Sequence, residues 1–264
     1  MNKTISIIIP VLNESAGINK AIEHLRGMIA VNGLPAEIIV VDGDQNGKTI
    51  AAIKDGKVIT AVEKPGRGRQ MNHGAALAKG EILLFLHADT LLPDDGLTLI
   101  TDACANLPFV AGAFDLAIDS ERPIFRLIEK MASLRSRMTR IPYGDQAFFF
   151  DAGYFRALGG FAEIPFLEDV EIMRRIKKRG EKIVFLNHPV RTAARRWEKD
   201  GAIKRTLRNR LLVFLYCAGM APERLAKFYS ISKSMMIPRR LGGSDEAYYT
   251  YVEETDDDAN KGSA

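Results

Sequence analysis

Short apolar segments, each closed by a polar turn and separated by helical patterns, constrain this 264-residue chain more than any other feature. ISIII (5–9), EIIVVD (37–42), KVITAVE (57–63) and ILLFL (82–86) read as strands, the last buried on both faces and bounded by Gly80. Pro10 is expected to stop the first of them. Residues 14–31 carry Ile18, Ile22, Leu25 and Ile29 on one helical face, and residues 69–79 form a second helical stretch. Such alternation implies right-handed parallel crossovers and an α/β fold, a doubly wound, mostly parallel central sheet with helices on both faces.

In such a sheet the carboxyl ends of the parallel strands share one edge, and ligands bind in the crevice there. That edge would collect Asn13 and Glu14, Asp42 and Asp44, Arg67 and Arg69, and His87 and Asp89. A carboxylate inside an apolar strand is costly, so Asp89, just past ILLFL in the stretch EILLFLHADT, belongs in the crevice. For one such residue, capping of the next loop explains as much. Repetition at four strand ends favours a binding site.

The second half has a different texture. VAGAFDLAI (110–118) alternates like a strand of an antiparallel or mixed sheet, 122–138 is an amphipathic helix and QAFFFD (146–151) another strand. A charged helix over 168–179 begins at Glu168 and Asp169, KIVFL (182–186) is a strand, and VRTAARRW continues extended. Helices follow at about 201–219 and 222–230, and 242–264 reads as a disordered acidic tail. No repeat or linker divides the chain, so 1–230 reads as one domain with halves near 1–109 and 110–200.

A net charge of +4 conceals a more basic body, because the end EETDDDAN is acidic. Arginines in the middle and late chain suit phosphates or anionic headgroups. No basic run interleaved with aromatics is present, which argues against nucleic acid. Cys104 and Cys217 form no CxxC and lie in apolar sequence, the pattern of buried thiols. The N-terminus is too short in apolar residues for a signal peptide, and LLVFLYCAGM (211–220) is about half a membrane span. A cytoplasmic protein is the default. Residues 203–220 combine basic residues with an apolar stripe, suited either to the inner face of a membrane, where a lipid-linked acceptor would be met, or to core packing. His24, His73 and His188 lack spacing partners and read as structural, and the Arg174–Arg179 cluster reads as a solvated helix face.

Several nucleotide and hydrolase chemistries are excluded. The first strand-to-helix turn is PVLNES, without the GxGxxG of a dinucleotide site. There is no GxxxxGK[ST] and no GxSxG. An aspartyl-nucleophile phosphatase would need an aspartate where His87 stands.

IIIPVLNE, EIIVVDGDQNGKT, RGRQMNHGAALAKGEILLFLHADT, GDQAFFF and LEDVEIMRRIKKRG, in that order, resemble a family 2 glycosyltransferase of GT-A fold over about residues 4–230, and within it a bacterial subgroup with LHADT and ARRW. The resemblance implies a nucleotide-diphosphate sugar donor, an acceptor hydroxyl and a divalent cation, Mg²⁺ or Mn²⁺. It places Glu14 and Asp42 at the nucleoside, Pro10 and Asn13 among the substrate-binding residues, and Asp89 on the cation. Arg67, Arg69, Asn72 and His87 are expected along the donor. Gly144, Asp145 and Gln146 would lie by the sugar and acceptor. Arg195, Arg196 and Trp197 match a region that closes over diphosphate or acceptor, and Asp169, beside Glu168, matches the catalytic base. His87 replaces the first aspartate of the family's DxD motif, and GDQNGKT departs from its usual serine-threonine-aspartate-glycine turn.

The implied chemistry suits these residue types. A departing diphosphate needs cations, and hard divalent ions take carboxylate and phosphate oxygens. One carboxylate base and no protein nucleophile give inversion at the anomeric carbon. A non-catalytic nucleotide-sugar-binding module is the alternative, and a sugar nucleotidyltransferase a weaker one, because PVLNES lacks a glycine-rich, lysine-bearing stretch.

Overall fold

The computed structural model describes residues 3–106, 109–194, 197, 198 and 201–231. One eight-stranded sheet, in the order β3-β2-β1-β4-β7-β6-β8-β5, organises them. Its strands are β1 (Ile5–Val11), β2 (Ala36–Asp42), β3 (Ile59–Val62), β4 (Ile82–Phe85), β5 (Thr90–Leu91), β6 (Ala111–Asp119), β7 (Phe148–Asp151) and β8 (Ile183–Ala193). The helices are α1 (Ile18–Asn32), α2 (Lys48–Ala51), α3 (Arg67–Leu77), α4 (Gly96–Asn106), α5 (Pro123–Thr139), α6 (Ala152–Leu158), α7 (Glu168–Lys178), α8 (Ala202–Cys217) and α9 (Pro222–Ile231), with a 3₁₀ turn at Gly144–Gln146. β3, β2, β1 and β4 run parallel. β7 reverses direction against β4 and β6, β8 runs parallel to β6, and β5 is antiparallel to β8.

The continuous apolar runs follow from burial on both sheet faces. Ile5, Ile7 and Ile9, with Ile38, Val40, Ile82 and Leu84, face one layer, completed by Ile18, Ile22 and Leu25 of α1 and Leu97 and Ile100 of α4. Ile8, Ile39, Val41, Leu83 and Phe85 face the other, under Met71 and Ala75 of α3, Phe155 of α6 and Ile172, Met173 and Ile176 of α7. Gly74 lets α3 lie directly on the sheet: a Cβ there would sit 2.4 Å from Ile8 Cγ2.

Several expectations are corrected. Pro10 does not end β1, which runs on to Val11. Ile5 N–H bonds toward β2's side and Leu86 N–H reaches Ile8 O, so alternation turns residue 10's nitrogen toward β4. The β1–β4 pairing stops at Ile8 and Phe85, so proline is placed where its missing N–H removes no paired rung. α4, α6 and β5 were not foreseen. α4 is nonetheless periodic at Leu97, Ile100 and Cys104, and α6 begins at an N-cap, Asp151, whose side chain accepts the Tyr154 N–H at 2.8 Å. Of the two thiols only Cys104 is buried, and burial pushes its pKa up to about 12; Cys217 is exposed. Arg175 is not simply solvated: it bonds Glu171 Oε2, Leu158 O and Gly160 O at 2.9, 2.7 and 2.5 Å, fixing α7 to the turn after α6. Residues 242–264 lie outside the described residues. Among those described, no helix is long and apolar enough to cross a membrane.

Candidate active site

A cleft opens where β4 meets the β6–β8 half of the sheet. It is lined by Arg67 at the start of α3, His87 and Asp89 after β4, Tyr143, Gly144 and Asp145 of the 3₁₀ turn, and Glu168 and Asp169 of α7. Thr192 and Ala193 of β8, Trp197, and Arg205, Asn209 and Leu212 of α8 complete the wall. A smaller hollow beside it shares Arg67, His87, Gly144, Glu168 and Asp169 and adds Pro10.

The convergence is tight. A Cβ built on Gly144 would lie 3.2 Å from Arg67 Nη1, 3.4 Å from Asp169 Oδ2 and 3.4 Å from His87 Nε2. Three side chains from three elements thus meet against one glycine. Asp169 Oδ2 accepts the Gly144 N–H at 2.8 Å and Oδ1 accepts the Val170 N–H at 2.7 Å. These bonds orient the carboxylate and leave each oxygen a second lone pair. Glu168 is buried, with Arg67 Nε 3.3 Å from its Oε1. Burial pushes the Glu168 carboxyl pKa up, Arg67 opposes that, and Asp169 adds to it. Leu167, just before the pair, adopts φ 67°, a left-handed conformation uncommon for a branched residue.

Asp145 is raised to about 6, mainly by burial, with Asp169 adding and Arg135 opposing. Arg135 stacks on the Tyr143 ring, 3.4 Å from its centroid, and donates to Ile141 O at 3.0 Å, which braces the turn from behind. Gln146, expected at the sugar, is buried inside this brace: it accepts from Ser136 Oγ at 2.7 Å and donates to Phe114 O at 2.8 Å. It shapes the turn and does not line the cleft.

The other expected residues divide sharply. Asp42 is fully buried and caps its own loop, accepting Asp44 N–H and Thr49 N–H, each at 2.9 Å. GDQNGKT is therefore a capped turn leading into α2. Asn13, at φ 59°, and Glu14, whose N–H donates to Thr49 Oγ1 at 3.2 Å, stand at the same sheet edge but outside the cleft lining. Arg69 pairs with Glu163, its Nη2 2.9 Å from Oε2. Asn72 makes a two-way bond with the Phe161 backbone, both distances 2.9 Å. Arg69 and Asn72 hold the 160s loop rather than face the cleft. Arg195 and Arg196 lie outside the described residues.

Tyr143, Arg205 and Asn209 were missed. Arg205 is buried, and its guanidinium lies 5.5 Å from the centroid of the Trp197 ring. Residues 205, 209, 212 and 213 share one face of α8. Two polar side chains on a buried helical face were the available signal. His24, with Nε2 3.1 Å from Leu92 O, and His73, with Nδ1 2.9 Å from Glu63 Oε2, sit in local contacts away from the cleft.

Among the described residues no three His, Cys, Asp or Glu side chains are grouped to hold a metal. A cation at Asp89 would take most of its ligands from diphosphate oxygens and water, as Mg²⁺ commonly does. The donor set fits that mode and not a preformed protein cage.

Comparisons with known proteins agree with this architecture. The chain is 32% identical over 100 residues to glucosyl-3-phosphoglycerate synthase of Mycobacterium tuberculosis, a match covering 34% of this chain and 30% of that protein. The matched segment is thus under a third of that relative's length. A mannosyltransferase from Pyrobaculum calidifontis, solved with GDP-Man and Mn²⁺, superposes with TM-score 0.57 at 18% identity, over 73% of this chain and 57% of that one. TarS of S. aureus, solved with UDP-GlcNAc, superposes at 0.56 with 17% identity, over 72% and 58%. The shared fold is GT-A. The model of "Glycosyl transferase family 2" matches residues 6–159, more than half of the sequence, and with the strand-end cleft this establishes that the chain belongs to glycosyl transferase family 2.

Proposed function

We propose that this protein moves a sugar from a nucleotide-diphosphate donor to an acceptor hydroxyl with inversion, using a divalent cation. The observation that carries the reading is that Asp89 and Asp169, 80 positions apart in sequence, line one cleft with Arg67 and Arg205. Asp89 would be the protein's ligand to Mg²⁺ or Mn²⁺, which when bound would offset the charge of the diphosphate. Arg67 and Arg205 add positive charge that needs no reorganisation during the reaction. Asp169, held by the Gly144 and Val170 N–H groups, takes the proton of the attacking hydroxyl. Glu168 and Arg67 form a neighbouring pair that orients the arginine.

Nucleoside recognition falls to the β1–β2 side of the same edge, at Pro10, Asn13 and Glu14. Asp42 contributes there by shaping the loop, since its carboxylate is already occupied by backbone donors. The complexes of relatives with GDP-Man and UDP-GlcNAc support the donor class. The 3₁₀ turn and α8 border the space left for the acceptor, and a lipid-linked acceptor would approach over α8.

The test is isothermal calorimetry with UDP and GDP, with and without Mn²⁺, followed by donor-hydrolysis and transfer assays on the corresponding sugars. Metal-dependent binding with turnover is expected. Binding without turnover under every donor would reduce the protein to a nucleotide-sugar-binding module.

A further inference from the structure

α5 and α8 lie side by side: Ile124 and Ile128 of α5 and Ala202 of α8 pack on the small core of Ile118, Phe125 and Ala194. Each helix buries one pole. On α5 the buried residues are Phe125, Glu129 and Ser136; on α8 they are Arg205 and Leu212. The opposite poles ought to be polar on a water-facing helix. They are apolar instead. α5 turns outward Leu127, Met131, Leu134 and Met138, the last two 60% and 75% exposed. α8 turns outward Ile203, Leu207, Leu211 and Phe214, the first and last 61% and 67% exposed. Positions at spacings of three and four make each set a stripe along its helix. Isolated exposed apolar residues are ordinary; two adjacent stripes are not.

The charges that the two helices carry are mainly basic, although Arg137 pairs with Asp115 and Arg135 is taken up by Tyr143. α5 carries Arg126, Lys130, Arg135 and Arg137 against a single acid, Glu129. Glu129 is buried and accepts from Ile118 N–H and Arg126. α8 carries four basic residues and no acid. Lys130 and Lys204 are exposed beside the stripes.

We propose that α5 and α8 together form a face that docks on an anionic lipid surface. Apolar stripes bordered by lysine and arginine are the pattern of helices lying in the plane of a membrane interface. Charge complementarity also selects this occupant over a second copy. A two-fold contact would press the same basic patch against itself, with no exposed acid on either helix to neutralise it, since Glu129 is buried. The inner pole of α8 lines the cleft through Arg205 and Asn209, so docking on the outer pole would hold the cleft one helix thickness from the lipid surface.

The test is co-sedimentation of the full chain with vesicles of phosphatidylcholine alone and of phosphatidylcholine with phosphatidylglycerol, without donor. The outcome therefore stands apart from that of the glycosyl-transfer reading. Binding to the anionic vesicles only, weakened by salt, is expected. Lys130→Gln and Lys204→Gln should each lower the partition coefficient by about fivefold. Leu134→Asp with Phe214→Asp should abolish sedimentation while the far-ultraviolet spectrum and Mn²⁺-dependent nucleotide binding are retained. Equal binding to both vesicles, or to neither, overturns the proposal. So does a dimer by light scattering that the Leu134→Asp, Phe214→Asp variant dissociates, which would assign the face to self-association.

Discussion

The Asp169 carboxylate accepts the Gly144 N–H at 2.8 Å, a bond that joins the first turn of α7 to the 3₁₀ turn after α5. It aims the carboxylate into the cleft from a backbone that cannot rotate away. The carboxylate and the turn it fixes are thus one unit, and substitutions on either side test it.

Asp169→Asn removes the proton acceptor but keeps the shape. Transfer should fall by about 10²–10⁴-fold with nucleotide affinity unchanged in calorimetry. The amide has one oxygen where the carboxylate used two, so stability should drop by about 1 kcal/mol in a urea titration. Retained turnover would remove Asp169 from the proton transfer.

Gly144→Ala tests the convergence itself. The new methyl would stand 3.2 Å from Arg67 Nη1, which forces the guanidinium to shift by a few tenths of an ångström, and would press against Asp169 Oδ2 at 3.4 Å. Arg67 has room to move, so folding should be nearly unaffected, whereas kcat should fall by about tenfold or more because positioning is lost. Wild-type kinetics in this variant would mean that Arg67 and Asp169 are not held in a productive arrangement by the glycine.

Asp89→Ala should remove the Mn²⁺ dependence of nucleotide binding, since Asp89 lies at the cleft wall. A calorimetric titration with an intact metal effect would place the cation elsewhere.

Asp42→Ala should act on folding. The buried Thr49 donor and the half-buried Asp44 donor would lose a charged acceptor, a cost of about 3 kcal/mol in denaturant unfolding. Asp42→Asn should cost less, because one oxygen remains. Loss of nucleotide binding at full stability would instead assign Asp42 to the base.

Asp145 sets a pH dependence. Its folded pKa, raised to about 6 by burial and by Asp169, stands above the 3.8 of an exposed aspartate. Between those values the folded state binds more protons than the unfolded one, so this group makes stability fall as pH rises from about 4 to about 6. Asp145→Asn should therefore raise the melting temperature at neutral pH, with the gain vanishing toward pH 4. A gain that is constant across the range would exclude the linkage.

What the sequence determined by itself was the sheet and the edge it presents. Apolar runs at Ile7–Ile9, Ile38–Val41 and Ile82–Phe85 specify strands buried on both faces, and the strand–helix order leaves one parallel edge for polar groups. Those signals are local: period two for a strand, 3.6 for a helix. Asp89 stands out in the sequence because it follows the fourth apolar run, and Asp169 because it opens a charged helix; both line the cleft. Which polar groups actually face the cleft was decided only in the tertiary structure. Asp42, Arg69, Asn72 and Gln146 stand next to the right elements, yet backbone donors, Glu163, the Phe161 peptide and Ser136 claim them. Tyr143, Arg205 and Asn209 enter because α5 docks on β6 and α8 lies beside α5, a placement set by long-range packing that no local period encodes. A side chain's partner is fixed by which distant segment the fold brings within hydrogen-bond reach, and that is a property of the folded chain.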